Sequence, residues 1–396
     1  MTALADRESA SIIHTYRRLP VEFVRGEGSR LFDREGRSYL DCLSGIAVTS
    51  VGHSNARVAA AVAAQMESLV HVSNLFYTEP QVRLAERLCE LSGLDRVFFS
   101  NDGATANEAA IKLARRWGRE RRGPDCHEII SLDGSFHGRT LATLAATGQP
   151  EKQSAFSPLP QGFVQVPPGD LEALVEAMHP GTAAVLIETI QGEGGVLPLE
   201  ESYLQGVRAL CDDLEILLIV DDVQAGVGRT GTWFSWQQLG FEPDIATSAK
   251  ALANGLPIGA CLATAAVAEA FRPGDHATTF GGGPVVCAAA LATLAVIEDD
   301  ELLANAAARG AQLKRLLSEP AGVSAVRGRG LLLAVVLREP VAGRLVEVGL
   351  DEGLVVNDVR PDAVRFSPPL SITSAEAEEA ATRFSTVLGR LGPPGT

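Results

Sequence analysis

Lysine is nearly missing from this chain: of the 34 Lys and Arg residues among 396, four are lysines. Three of them, Lys112, Lys152 and Lys314, stand among charged or polar neighbours, as solvated side chains do. The fourth, Lys250, closes the apolar run Asp244-Ile-Ala-Thr-Ser-Ala-Lys250 and precedes a Gly-containing stretch, 251–259. An excess of positive charge is lacking too. At a net charge of −15 and a sequence pI near 5.0, nucleic acid and anionic membranes would repel the chain, which leaves small molecules and copies of itself as expected partners. The six cysteines (Cys42, Cys89, Cys126, Cys211, Cys261, Cys287) form no CxxC pair and no dense spacing, which excludes a disulfide scaffold and favours a reducing cytoplasm. No uncharged run is long enough for a bilayer span, and the polar, acid-containing N-terminus lacks signal-peptide character. Internal repeats and low-complexity segments are absent as well.

What is present is enough apolar sequence for a large core, 46% hydrophobic over a length that suits one big domain and a smaller companion. Residues 1–55 read as an arm: a short helix, then two strand-like pieces about a turn at Gly36. Helical spacing covers 55–70 and 79–91. Beyond these, apolar strands (96–100, 128–132, 183–188, 216–220, 245–249, 260–266) alternate with helices (105–119, 170–178, 201–213). Near-continuous apolar strands separated by helices predict an α/β fold, a mostly parallel sheet covered on both faces. From Pro284 an Ala/Leu-rich helix to about Leu317 connects to a smaller α+β domain with strands at 323–336 and 359–366, a helix at 375–391 and a frayed end at 392–396. The expected division is arm 1–55, large domain 56–283, and connector helix with small domain 284–396.

The stretch Gly226-Val-Gly-Arg-Thr-Gly231 fits the GxGxxG dinucleotide pattern, but the context is wrong. A dinucleotide turn opens a long helix, whereas 232–240 is short and aromatic, and Asp244 precedes its strand where a ribose-binding acid would end one. Just before those glycines, Asp221 and Asp222 sit at the carboxyl end of a core strand and point to opposite faces. A buried carboxylate beside a pyridine nitrogen would keep that nitrogen protonated and make the ring an electron sink; two helix-capping acids are the alternative. A lysine at a buried strand end is partly desolvated, so its pKa falls and some of it becomes nucleophilic, unless the side chain snorkels to water. Residues 101–108 join a strand to a helix whose free amides at Gly103 and Ala104 suit an anion. Ser135-Phe-His-Gly-Arg-Thr140 offers an aromatic ring and an arginine, and Thr278-Thr-Phe-Gly-Gly-Gly283 offers hydroxyls and amides.

Taken together and in order, residues 44–48 with Gly52-His53, 71–80, 135–140, 191–195, 221–231, Lys250, 279–282 and 365–370 resemble the class III (subgroup II) aminotransferases of pyridoxal phosphate (PLP) fold type I, most of all their acetylornithine branch. The resemblance runs over nearly the whole chain. It implies PLP as cofactor, Lys250 as the Schiff-base lysine and proton carrier, Asp221 as partner of the pyridinium and Gln224 of the ring hydroxyl. Phe136 and Val223 are expected to sandwich the ring. Gly103 and Ala104 are expected to hold the phosphate, helped by Thr279 of a second copy in a homodimer with shared sites. Arg365 resembles the binder of the glutamate α-carboxylate, Arg139 the binder of the other carboxylate, and Glu193 the acid that masks Arg365 while an ω-amine reacts. The implied substrates are an ω-amino donor and 2-oxoglutarate, with N2-acetylornithine first and ornithine, succinylornithine, 4-aminobutyrate or diaminobutyrate next; an aminomutase or racemase would share Lys250, Asp221 and Phe136. The chain departs from the family at Asp102 (usually Ser), Ala104 (Thr), Thr105 (Glu), Asp222 (Glu) and Gly283 (Asn). A carboxylate at Asp102 would repel the phosphate unless it turns away to cap the helix.

Overall fold

The computed structural model describes residues 3–391, and the frayed end expected at 392–396 lies outside them. A seven-stranded sheet organises the chain, in the order Arg96–Ser100, Gly259–Ala263, Ile245–Ser248, Leu217–Asp221, Thr182–Ile187, Glu128–Leu132, Phe163–Val166. Neighbours pair in parallel except around Gly259–Ala263, which runs antiparallel to both strands beside it. Every residue of Thr182–Ile187 and Leu217–Asp221 is buried. Helices on both faces explain why these strands read as unbroken apolar runs. The leucines and isoleucines at their centre, such as Leu218 and Ile187, are completely buried. Cutting one of them to alanine would cost about 2–5 kcal/mol.

The helices start where the sequence offers caps. Asn55 accepts the amides of Arg57 and Val58 to open Ala56–Ser68, and Asp102 accepts the Thr105 amide to open Gly103–Arg121. The long helix expected from Pro284 is in fact two, Pro284–Asp299 and Leu302–Leu317. Four consecutive acids, residues 298–301, crowd the negative end of the first helix dipole, and Glu301 breaks the run at φ +51°. The single strands expected at 323–336 and 359–366 are likewise two hairpins. Gly328 (φ +118°) and Gly330 (φ +54°) turn Val323–Arg329 back onto Leu332–Leu337, and Pro361-Asp362 turns Asn357–Arg360 onto Ala363–Phe366. The strand expected at 260–266 ends at Ala263, and the next residues form the helix Ala265–Ala268. Among the elements with no counterpart in the sequence reading are the strand Phe163–Val166 and the helices Leu141–Ala146 and Ala342–Asp351.

The two hairpins make one four-stranded sheet in the order Val323–Arg329, Leu332–Leu337, Ala363–Phe366, Asn357–Arg360, backed by the helices Leu302–Leu317 and Ala342–Asp351. The arm is a meander of Phe23–Glu27, Arg30–Asp33 and Ser38–Asp41, whose last strand pairs in parallel with Leu354–Val355. Arg229, the arginine of the GxGxxG stretch, is fully buried between these parts. It donates to the carbonyls of Leu331 (3.2 Å) and Pro368 and to Ser50 Oγ (2.9 Å), joining three distant segments. Burial pushes its pKa down to about 9. The motif is a structural joint, followed by turns and no long helix.

Candidate active site

Ligands of open α/β sheets bind outside the carboxyl ends of the parallel strands, and the chemically informative residues collect there. Asp221 ends Leu217–Asp221, Glu188 follows Thr182–Ile187, residues 135–139 follow Glu128–Leu132, and Lys250 lies just past Ile245–Ser248. They enclose a cavity of about 380 Å³, within the usual size of a small-molecule site. Gly103, Ala104, Phe136, Arg139, Glu193, Asp221, Val223, Gln224 and Lys250 all line it. Two expected residues do not. Arg365 lies behind Glu193 and Gln224, and Thr279 is exposed beside a separate depression formed with Asn74, Phe98 and Thr278.

Lys250 is not the last residue of its strand. The strand stops at Ser248, and Lys250 opens a short 3₁₀ turn at φ +39°, a left-handed conformation that a side chain adopts only under constraint. Among the described residues its amine has neither a hydrogen bond nor an ion pair. Burial lowers its pKa and the Arg365 charge adds to this, against the pull of Glu193, Asp221 and Glu188.

Asp221 is held from several sides. Its Oδ2 accepts from Asn107 Nδ2 (2.7 Å) and His137 Nδ1 (2.8 Å), and its Oδ1 from the Val223 amide (3.1 Å). Asn107 in turn donates to the His137 carbonyl (2.8 Å) and accepts from Thr247 Oγ1 (2.7 Å). Sequence reasoning gave no role to His137 or Asn107. Asn107 carried a signal nevertheless: an amide on the helix face it shares with the buried Ala110, Ile111 and Ala114 needs a polar partner inside. Asp222 points the other way, as the strand alternation required, with Oδ2 accepting from the Ser235 amide (3.0 Å) and Oδ1 unpartnered. Burial raises its pKa to about 7. Glu188, also unassigned in the sequence, accepts from the amides of Phe136 (3.0 Å) and Gly192 (3.3 Å), and burial together with the Asp221 charge raises its pKa well above the carboxylate range.

On the opposite wall, Arg365 is completely buried. Its Nη1 reaches Glu193 Oε1 at 2.5 Å and Gln224 Oε1 at 3.0 Å, while Nε donates to Asn357 Oδ1 at 3.1 Å. Gln224 Nε2 closes the triangle on Glu193 Oε1 at 3.1 Å. Gln224 therefore bridges the Arg365–Glu193 pair here. Burial opposes ionisation of Glu193, yet the Arg365 and Lys250 charges outweigh it and hold its pKa at about 2. Arg139 is exposed at the mouth, with its guanidinium 5.6 Å from the Phe136 ring centre.

Residues 12–388 match the family described as aminotransferase class-III. The chain belongs to the class III aminotransferases. It is 49% identical over 385 residues to the acetylornithine aminotransferase of Gloeobacter violaceus, covering 96% of each chain. Among solved structures, the N-acetylornithine aminotransferase of Stenotrophomonas maltophilia superposes with a TM-score of 0.84 at 38% identity, covering 97% of this chain and 99% of that one. An ornithine aminotransferase of Toxoplasma gondii, described with partial occupancy of PLP at its active site, gives 0.93 at 33% identity over 98% and 95% of the two chains. Class III aminotransferases use PLP, and the cavity of this class III aminotransferase suits it: an unpartnered, half-buried amine, a carboxylate already oriented, and a glycine-bearing helix start. Gly103 packs so closely on Val223 that an added Cβ would lie 2.6 Å from its Cγ1. Its amide and that of Ala104 have no partner within the helix. Asp102 turns to the cap, with Oδ1 accepting from the Thr105 amide (2.7 Å) and hydroxyl (2.8 Å). Its carboxylate is thereby engaged at the helix cap, although Asp102 still lines the cavity.

Proposed function

We propose that this protein moves the terminal amine of N2-acetylornithine, or of a similar ω-amino acid, to 2-oxoglutarate, giving the semialdehyde and glutamate in arginine biosynthesis. The observation that carries this reading is a cavity with two cationic clamps of different availability: Arg139 open at the mouth, and Arg365 covered by Glu193 at 2.5 Å. Glutamate brings two carboxylates and acetylornithine one. A site that alternates between them needs one clamp for both and another that can be hidden.

PLP supplies the electron sink when bound. Gly103 and Ala104 would offer its phosphate their amides, and Phe136 and Val223 would hold its ring. Asp221 would keep the ring nitrogen's proton by charge, itself steered by Asn107 and His137, with the proton of His137 on Nδ1 where Asp221 accepts it. The amine of Lys250 would take the proton from the substrate carbon that bears the reacting amine. Burial, which lowers its pKa from the ordinary lysine value, favours the neutral form this needs. Arg139 orients either substrate by a carboxylate, and Glu193 swings off Arg365 when a dicarboxylate arrives.

We further propose a homodimer working in the cytoplasm, with Thr279 completing the phosphate site of the second copy. Supporting this, Leu75, Phe76, Tyr77 and Phe280 form exposed apolar surface on the Thr279 side of the molecule. A panel of amino donors with 2-oxoglutarate tests the function. Acetylornithine is expected to give the highest kcat/KM; preference for ornithine or 4-aminobutyrate would move the assignment to that donor, and amino-group migration without 2-oxoglutarate would overturn transamination.

A further inference from the structure

Three arginines of the small sheet reach toward one loop of the large domain. The strands Ile190–Gln191 and Leu197–Pro198 pair as a short hairpin, and its tip, residues 192–196, carries Glu193. Across the small sheet, Arg327 is in register with Ala334, Ala334 with Arg365, and Arg365 with Asn357. Residues directly opposite one another share a face, so Arg327 and Arg365 point the same way with only a methyl group between them. Arg365 takes the Glu193 side chain. Arg327 Nε donates to the Gly195 carbonyl at 2.9 Å, and Arg360 Nε, from the edge strand, to the Gly194 carbonyl at 2.7 Å. The fit is close: a Cβ on Gly195 would lie 2.7 Å from Arg360 Nε and 2.9 Å from Arg327 Nη2. Beneath the tip, Ile190 and Val196 are buried with Leu332 and Ala334 of the same sheet.

Among the described residues neither Arg327 nor Arg360 has an ion-pair partner. Two like charges are thus set side by side on neutral carbonyls, where burial and the Arg360 charge both lower the Arg327 pKa. Such an arrangement contributes little as electrostatics and much as geometry. We propose that Arg327 and Arg360 are positioning residues that pin the Glu193 loop to the small sheet, setting how firmly Glu193 covers Arg365 and so how the site divides its affinity between dicarboxylate and monocarboxylate substrates. This rests on the reading of Glu193 as the mask of Arg365.

The test measures binding to the PLP-loaded protein by calorimetry with two unreactive probes: glutarate, which needs Arg365 bare, and N-acetylnorvaline, which is acetylornithine without its terminal amine and needs Arg365 covered. The variants are Arg327→Gln/Arg360→Gln, the milder Arg360→Gln on its exposed edge strand, and Glu193→Gln. Loosening the loop should tighten glutarate and weaken N-acetylnorvaline, each about 10-fold in the double variant, the size of one charge-assisted hydrogen bond, and in the same direction but less in Arg360→Gln. General damage would weaken both probes, and that result, or no change in either, overturns the proposal. If Glu193→Gln tightens glutarate while the arginine variants do not, the clamp is wrong and the mask stands. If Glu193→Gln leaves glutarate unchanged, the mask itself fails and the clamp with it.

Discussion

The two walls of the cavity are built on opposite plans. On the large sheet, Asp221 is gripped by Asn107, His137 and the Val223 amide, and Asn107 is itself fixed by Thr247, so no side chain in the group has another place to go. On the small sheet, Arg365 is as deeply buried, but among the described residues its Nη2 has no partner, and its Nη1 rests on Glu193, which retains 30% of its side-chain surface, and on Gln224. One wall is a fixed electrostatic frame and the other an exchangeable pair. Burial alone does not distinguish them; the mobility of the partner does.

The fixed wall should fail as a whole. Lys250→Ala is expected to lower both half-reactions by on the order of 10⁴-fold, the upper range for a positioned proton carrier, and to abolish borohydride trapping of the cofactor. Trapping on Lys112, Lys152 or Lys314 would break the assignment. Asp221→Asn keeps the shape and removes the charge. If the charge is worth about 1–3 pKa units at the ring nitrogen, both half-reactions should slow by roughly 10- to 1,000-fold, as single-turnover kinetics would register.

The exchangeable wall should fail in one direction only. Arg365→Ala is expected to cost the glutarate-like half-reaction, with glutamate or 2-oxoglutarate, about 10- to 150-fold, and the acetylornithine half-reaction much less, whereas Arg139→Ala costs both. Equal losses for Arg365→Ala would erase the distinction between the walls.

The smallest effect sharpens the picture of the fixed wall. Burial raises Asp222 from 3.8 to about 7. Between these values the folded protein keeps a proton that the unfolded chain releases, so stability from this group falls as pH rises from 3.8 to about 7 and is level above. The whole window is worth at most about 4 kcal/mol. Asp222→Asn, which can still accept the Ser235 amide, should therefore gain in melting temperature relative to the parent as pH rises through that window. A difference that does not vary with pH would mean that Asp222 is ionised throughout.

Much of the fixed wall was legible in the sequence because an apolar strand announces its own end. Lys250 and Asp221 each follow or close such a run, and alternation told Asp221 from Asp222. Registers and partners were not legible. Nothing in the order of residues sets Arg327 beside Arg365 across Ala334, since that row depends on two hairpin turns, one of them at glycines that read as part of a single strand. The His137 contact to Asp221 spans 84 positions and has no local periodicity to betray it. The break at Glu301 was within reach, because four adjacent acids at a helix end are unfavourable on their own terms.

The pairing of Ser38–Asp41 with Leu354–Val355 has a consequence for the order of manufacture. Leu40 reaches the ribosome exit more than three hundred residues before its partner Leu354. At about 5–20 residues per second, that is roughly 15 to 60 s during which Ser38–Asp41 has Arg30–Asp33 on one side and no strand on the other. A newborn chain must thus carry one open edge on this sheet until Leu354–Val355 have emerged.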